Sequence, residues 1–207
     1  MRSTLYAFSG LLFFATPQAH AVFINELHYD NAGVDQGEGV EIAGLAGTDL
    51  TGYQIVLYNG TNGTLYRRVT LDGELSDQQN GYGTRFFDVG SIQNGDPDGL
   101  ALIDATGNVL QFLSYEGAFT ASDGEAAGMA STDIGVAENS DHQVGWSLQL
   151  TGIGLSADDF QWVIGSVSYG SPNTDQSFAP APVPLPAALP ALLGGLAWLG
   201  RLGRSAR

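Results

Sequence analysis

Short apolar runs separated by glycine-containing turns are the feature that most restricts how this chain can fold. Glycine occurs 29 times between runs rich in Val, Ile, Tyr, Phe and Thr, the residues that favour strands. No segment before Ala179 repeats its apolar residues with the 3.6-residue period of a helix. The pattern predicts an all-β sandwich with strands at Val22–Tyr29, Gly39–Ala43, Tyr53–Tyr58, Thr64–Leu71, Thr84–Val89, Gly99–Asp104, Val109–Tyr115, Trp146–Leu150 and Phe160–Gly165.

Two hairpins are explicit in the sequence. In YQIVLYNGTNGTLYRRVTL (residues 53–71), two Asn-Gly pairs supply residues that accept positive φ and reverse the chain. The N-x-T patterns at Asn59 and Asn62 belong to this turn, and we interpret them as turn chemistry rather than glycan acceptors. In GLALIDATGNVLQFLSY (residues 99–115), Ala-Thr-Gly-Asn makes the second reversal.

The central part of the chain is strongly acidic. All 22 acidic residues lie between residues 22 and 178, together with only three basic residues, Arg67, Arg68 and Arg85, so this part carries 3 − 22 = −19. Such a charge repels nucleic-acid phosphate and anionic lipid, so we expect no direct nucleic-acid binding. Cations or cationic partners fit such a surface better, and so does a charge that serves solubility alone, which is the simpler explanation. The chain has no cysteine, which excludes disulfides, thiolate catalysis and cysteine-ligated metals.

The first 21 residues have the layout of a secretory signal peptide. Arg2 supplies a positive start, an apolar run follows from Leu5 to Ala15, and Ala19-His20-Ala21 forms an A-x-A cleavage site. The sequence therefore predicts an N-terminal signal helix over residues 1–21, recognised through Ala19 and Ala21 and removed by signal peptidase.

The C-terminal end changes composition abruptly. Residues 179–187 form a Pro/Ala linker, residues 188–202 a hydrophobic segment, and residues 203–207 an Arg-containing tail. About 20 apolar residues are needed to span a bilayer, and counting from Val183 to Leu202 reaches that length. The segment predicts a C-terminal hydrophobic transmembrane helix, with the basic cluster on the cytoplasmic side: Arg201, Arg204 and Arg207.

This tail resembles a PEP-CTERM sorting signal in its VPLPA form. Such signals place a short proline-containing motif before a hydrophobic helix and a terminal arginine cluster, and the motif here is Val183, Pro184, Leu185, Pro186 and Ala187. The resemblance implies processing by an exosortase, a membrane transpeptidase of Gram-negative bacteria. It also implies an inner-membrane intermediate that then moves to the cell surface or extracellular matrix. The alternative is a permanent membrane anchor.

The domain between residues 22 and 178 resembles the bacterial lamin-tail domain (LTD) family. The matching stretches run in order along the chain and are VFINELHYDNAG, GEGVEIAGLAGTDLTGYQIVLYNG, QNGDPDGLALIDATGNVLQFLSYEG, DGEAAGMASTDIGVAE, SLQLTGIG, DFQWV and SYGSPN. The resemblance implies an immunoglobulin-like β-sandwich that acts as a non-enzymatic binding or accessory module. In SYGSPN the chain departs from the Thr-Pro-Gly or Ser-Pro-Gly that the family more often has.

No catalytic set is recognisable. Val22 onward contains two histidines, His28 and His142, and none of the common nucleophile, metalloprotease or nucleotide-binding motifs. His28 shares its strand face with Glu26 and Asp30 at i±2, but a lone histidine is usually structural. The carboxylates of Glu38 and Glu41 have no spacing that assigns one as acid and one as base. We therefore expect a protein that is not an enzyme.

One segment places side-chain oxygens at the spacing of calcium ligands. Asn94, Asp96 and Asp98 place side-chain oxygens at positions 1, 3 and 5 before Gly99, as in the first half of a calcium loop. Ala105 stands where the bidentate glutamate would be, and a tight turn before a strand explains the same residues. Calcium is thus the one cofactor that the sequence suggests, with the turn as the alternative.

The aromatic residues of the strands are expected in the core rather than on a ligand platform: Trp146, Trp162, Phe112, Tyr115 and Phe160. Together these features predict an exported, surface-sorted protein that acts in adhesion or in the extracellular matrix through an unidentified surface or matrix ligand. One alternative is an accessory module of an exported nuclease or phosphatase system. Another, based on charge alone, is a cation-buffering matrix filler.

Overall fold

The computed structural model describes residues 22–180, which form two packed β-sheets. The only helical element in this range is the 3-10 turn Ala157–Asp159. The strands are β1 Val22–His28, β2 Gly39–Leu45, β3 Gln54–Asn59, β4 Thr64–Thr70, β5 Tyr82–Phe87, β6 Asp98–Ile103, β7 Val109–Tyr115, β8 Thr132–Asp133, β9 Trp146–Gly154, β10 Gln161–Ser166 and β11 Gln176–Phe178. The expectation of an all-β sandwich is confirmed.

The strands are divided between a six-stranded and a five-stranded sheet. Sheet A has the order β10-β9-β1-β2-β5, and β11 pairs with β9 beside this path. Sheet B has the order β4-β3-β6-β7-β8. All pairings are antiparallel except β11 with β9 and β7 with β8.

The main core lies between the two sheets. Alternate residues of each strand point to it, because side chains along a strand alternate between faces. Sheet A contributes Val40 and Ile42, and sheet B contributes Ile55, Leu57 and Leu100, all fully buried in one cluster. The rings of Tyr29 and Tyr115 stack with centroids 3.8 Å apart in this layer.

Each sheet also buries its outer face under a mostly irregular segment, and the segment on sheet A ends in β11. On sheet B, a second cluster packs Val56, Tyr58 and Ile103 against Phe119 and Ala126 of the segment that follows β7. On sheet A, the cover is residues 167–178, which we call the strap. Its last residue, Phe178, packs against Phe23, Tyr82 and Phe160.

A β-bulge in β1 determines how the strap attaches. The register with β2 shifts between Ile24 and Glu26, which turns Asn25 and Glu26 toward the same outer face. The pairing of β1 with β9 covers only Glu26 and Leu27. Next to these paired residues, the Asn173 side chain of the strap joins the two strands by donating to the carbonyl oxygens of Asn25 and Leu150, at 3.0 and 2.9 Å.

All nine predicted strands occur, with ends that differ by a few residues and with β9 extended to Gly154. The prediction missed β8 and β11, which have two and three residues and are too short to show an alternating pattern. The hairpin at residues 53–71 is confirmed as β3 paired with β4. The predicted signal helix, VPLPA motif, hydrophobic segment and arginine tail lie outside the described residues.

Candidate functional site

Val22 and Phe178, the first residue of β1 and the last residue of β11, lie at the end of the sandwich opposite to the acid-rich loops. The rings of Phe23 and Phe178, near the first and last strand residues, are 6.5 Å apart. The other end is formed by residues 29–38, 88–98, 115–117 and 133–142, which we call the acidic end. It holds Asp30, Asp35, Glu38, Asp88, Asp96, Asp98, Glu116, Asp133, Glu138 and Asp141.

The loops of the acidic end contact one another directly. The Ala32 N–H donates to the His142 carbonyl at 2.8 Å, and the Ile92 N–H donates to Glu38 Oε1 at 2.8 Å. None of these loops contains lysine or arginine, but Arg67 of β4 reaches them and donates to the Val89 carbonyl at 2.8 Å. Burial and the charge of Asp35 raise the pKa of Asp30. Burial likewise raises the pKa of Glu116, and the charge of Asp96 adds to this.

His28 forms a buried ion pair at the base of the acidic end. Its Nδ1 lies 2.8 Å from Glu138 Oε1, and the two side chains are only 2% and 0% exposed. The other carboxylate oxygen of Glu138 accepts the N–H groups of Tyr29 and Asp30, at 2.7 and 3.0 Å. The pair therefore ties the end of β1 to the segment before β9.

Both ring nitrogens of His28 face acceptors. Nε2 lies 3.1 Å from the Gln36 carbonyl and 3.3 Å from Asn31 Oδ1, so the geometry fits an imidazolium that donates from both sides. Burial lowers the pKa of His28, but the hydrogen bond and charge of Glu138 outweigh it and the net shift is upward. With no free lone pair and almost no exposed surface, this histidine has neither the protonation state nor the access that a general base needs.

The carboxylates of Glu38 and Glu41 do not form an acid–base pair. Glu38 accepts the Ile92 N–H, whereas Glu41 is fully buried on the outer face of sheet A and accepts from Asn25. Every buried side-chain nitrogen and oxygen in residues 22–180 has a hydrogen-bond partner. The buried polar groups of the described domain are thus used to hold the fold.

The predicted calcium residues sit at the acidic end but in separate environments. Asn94 and Asp96 are exposed, whereas Asp98 is buried and its two carboxylate oxygens accept the N–H groups of Gly60 and Gly95, at 2.8 and 2.7 Å. A cation at Asp98 would compete with both bonds. Within residues 22–180, no three His, Asp or Glu side chains are arranged to hold a metal ion. Calcium binding stays a prediction.

Most of the aromatic residues expected in the core are there, with one exception. Phe112, Tyr115 and Phe160 are buried, and Trp162 packs against the core clusters. Trp146 was wrongly expected in the core: it is 37% exposed and stacks against His142 with ring centroids 6.4 Å apart. It is the first residue of β9, next to the loops of the acidic end.

An open cavity of about 180 Å³ also lies at the acidic end. It is lined by Glu116, Gly117, Asp133, Gly135, Val136 and Ala137. The Tyr29 hydroxyl donates to Glu116 Oε1 at 3.3 Å, and Asp133 accepts the Gly135 N–H at 3.0 Å. Its carboxylates would favour a small cationic group over an anion.

No family model, curated protein or solved structure matches this chain. In the part of the chain that the structure describes, no helix is long and apolar enough to cross a membrane. Membership of the lamin-tail family and the VPLPA sorting signal stay predictions from the sequence.

Two features of the interior were not predicted. Glu138 is the last residue of the stretch DGEAAGMASTDIGVAE, and the sequence assigns it no role. In the structure it is the partner of His28, which lies 110 positions earlier in the chain. The strap residues Ser168, Gly170 and Asn173 donate hydrogen bonds to β1 and β2. The one sequence signal for the strap is SYGSPN, a polar stretch that follows the last long strand.

The His28–Glu138 pair predicts a histidine that stays charged at neutral pH. Because the pKa of His28 is raised in the fold, its stabilising contribution is complete below about pH 6.5 and is lost as the pH rises through the folded value. We expect ¹⁵N NMR at pH 7 to show both ring nitrogens of His28 protonated, and His28→Ala to lower the free energy of unfolding by about 3–5 kcal/mol. In contrast, His142→Ala should cost about 0.5 kcal/mol. A neutral His28 ring at pH 7 would contradict this assignment.

Proposed function

We propose that this chain is an exported, surface-sorted β-sandwich protein that acts by binding and not by catalysis, with the acidic end as its contact surface. The domain would be an immunoglobulin-like fold of the lamin-tail type. Signal peptidase would remove residues 1–21, and an exosortase would process the chain near Val183–Ala187. The product would reside on the cell surface or in the extracellular matrix of a Gram-negative bacterium.

The positions of the first and the last strand of the described domain carry this proposal. Phe23 and Phe178 pack together, so a tail that attaches the protein to a membrane or matrix leaves from the end opposite to the acidic loops. Tethered in this way, the sandwich would present those loops to the surroundings. Loops that are held by a rigid scaffold and carry an excess of one charge are a common arrangement for binding.

The buried titratable side chains support the part of the proposal that excludes catalysis. The one buried histidine uses both nitrogens inside the fold, and the fully buried glutamates Glu26 and Glu41 accept hydrogen bonds from the strands and the strap. Groups committed in this way have no open contact with a substrate. The ligand class that the charge favours is a basic polymer or peptide, since acidic side chains outnumber the basic groups at the acidic end, where Arg67 donates to the Val89 carbonyl.

Neutralising charge at the acidic end should weaken binding to a polycation. We expect the exposed triple change Asp88→Asn, Asp96→Asn and Asp141→Asn to reduce the affinity of the full chain for poly-arginine about tenfold at low salt. The matched control is Glu74→Gln, Asp158→Asn and Asp175→Asn, which removes the same charge from exposed positions outside the acidic end. Equal losses in both triple variants, measured by biolayer interferometry, would show that net charge and not this surface governs binding.

Export and sorting require a separate measurement. Mass spectrometry of the protein isolated from its native cells should find an N-terminus at Val22 and a C-terminus near residues 183–187, without Arg201, Arg204 and Arg207. An intact chain with both ends uncut would refute export and exosortase processing, whatever the domain binds.

A further inference from the structure

Two buried glutamates face each other on the outer face of sheet A. Glu26 of β1 and Glu41 of β2 are direct partners in the strand register, and both are 0% exposed. Adjacent strands of a sheet place opposed side chains within about 5.5 Å of one another at Cβ. Two carboxylates therefore share one small enclosed space.

Glu26 is surrounded by neutral donors. Its Oε1 accepts from the Ser147 hydroxyl at 2.5 Å, the Gln149 amide at 3.1 Å and the Ser168 N–H at 3.0 Å. Its Oε2 accepts from the Ser168 hydroxyl at 3.0 Å. The Ser168 hydroxyl is shared with Asn173 Oδ1, at 2.9 Å, and the donors that remain on Glu26 favour its ionised form.

Glu41 has fewer donors. Its Oε1 accepts from the Asn25 amide at 3.0 Å, and its Oε2 accepts the Gly170 N–H at 2.5 Å. The Thr84 hydroxyl of β5 also faces this carboxyl. Of the groups that donate to the pair, the Ser168 N–H, the Ser168 hydroxyl and the Gly170 N–H belong to the strap.

The strap is held on both sides of the carboxyl pair. The Tyr169 ring stacks on Phe86 of β5 with centroids 3.8 Å apart. Toward the C-terminal side, the amides of Gln176 and Asn25 exchange hydrogen bonds at 2.6 and 3.2 Å. The strap thereby seals Glu26 and Glu41 from water.

No cation balances the pair. The described residues contain no ion pair that involves Glu26 or Glu41. The groups that face them are Asn25 from β1, Thr84 from β5, Ser147 and Gln149 from β9, and Ser168, Tyr169 and Gly170 from the strap. Burial raises the pKa of the Tyr169 phenol, and the charges of Glu26, Glu138, Glu41 and Glu38 add to this, so this group stays neutral as well.

We infer that the strap is a pH-responsive cover, held closed while the facing carboxyl groups keep one proton between them and loosened when both are ionised. If both carboxyl groups were ionised while the strap stayed closed, two negative charges would share a dry space that is lined only by neutral polar groups. Opening admits water to the pair and relieves both the repulsion and the desolvation. Because the strap runs directly into the C-terminal part of the chain, its release also lengthens the connection to that part.

The titration of Glu41 supports this geometry. Burial raises its pKa to about 8, opposed by the Asn25 hydrogen bond and reinforced by the charge of Glu26. Burial also raises the pKa of Glu26, against the hydrogen bonds from Ser147, Ser168 and Gln149. The closed strap is therefore most strongly favoured below pH 4.5, the ordinary pKa of a glutamate. The contribution of the shared proton to closure is lost as the pH rises through about 8. Within this window, each pH unit raises the ratio of open to closed strap by up to about tenfold.

A spin label can report the strap directly, because the chain has no native cysteine. Ser171→Cys places one nitroxide at an exposed strap position of the full chain. We expect the mobile component of its electron paramagnetic resonance spectrum to grow between pH 5 and pH 9. Glu41→Gln in the same labelled chain should remove this pH dependence, whereas Glu74→Gln, at an exposed glutamate, should retain it.

Two further measurements keep the test decisive if Glu41→Gln does not fold. Infrared difference spectra of the unsubstituted protein should lose the band of a buried protonated carboxyl group in the pH window in which the label becomes mobile. Far-UV circular dichroism should stay unchanged across that window. The inference is overturned by a pH-independent label, by a Glu41→Gln variant that keeps the slope, or by loss of sheet signal together with label release.

Discussion

The polar outer face of sheet A is the constraint on which the rest of this structure depends. The bulge in β1 turns both Asn25 and Glu26 outward, opposite Glu41 and beside Gln149, and a polar group buried there without a partner would cost about 1–3 kcal/mol. The strap supplies the partners, through Ser168, Gly170, Asn173 and Gln176. The segment after β10 is thus a structural layer of the domain, and the chain must reach Phe178 before the sandwich is complete.

The same logic holds at the acidic end. His28 and Glu138 are buried there as an ion pair that closes the loops on each other, while their exposed acidic neighbours remain free to face solvent. Charged groups inside this domain therefore have structural roles, and charge available for binding is at its surface. This division is why we place function on the loops opposite the chain ends.

Much of the architecture could be predicted from the sequence, because it follows from local patterns. The strand Val109–Tyr115 was predicted at its observed bounds, and the Asn-Gly turns fixed the pairing of β3 with β4. Alternation cannot reveal β11, which has three residues, or the bulge at Asn25, which depends on pairing with β2. The His28–Glu138 contact joins residues 110 positions apart and has no local signature. Trp146 was wrongly expected inside because the alternation within one strand does not show where the packed layers stop, and Trp146 is the first residue of β9.

Native-state hydrogen exchange at the strap tests the central claim most directly. If the strap is a layer of the fold, the N–H groups of Ser168 and Gly170, which donate to Glu26 and Glu41, should exchange at pH 5 as slowly as those of the neighbouring strand β10. Exchange of these two N–H groups at the rate of an unstructured loop, with β10 still protected, would contradict the account.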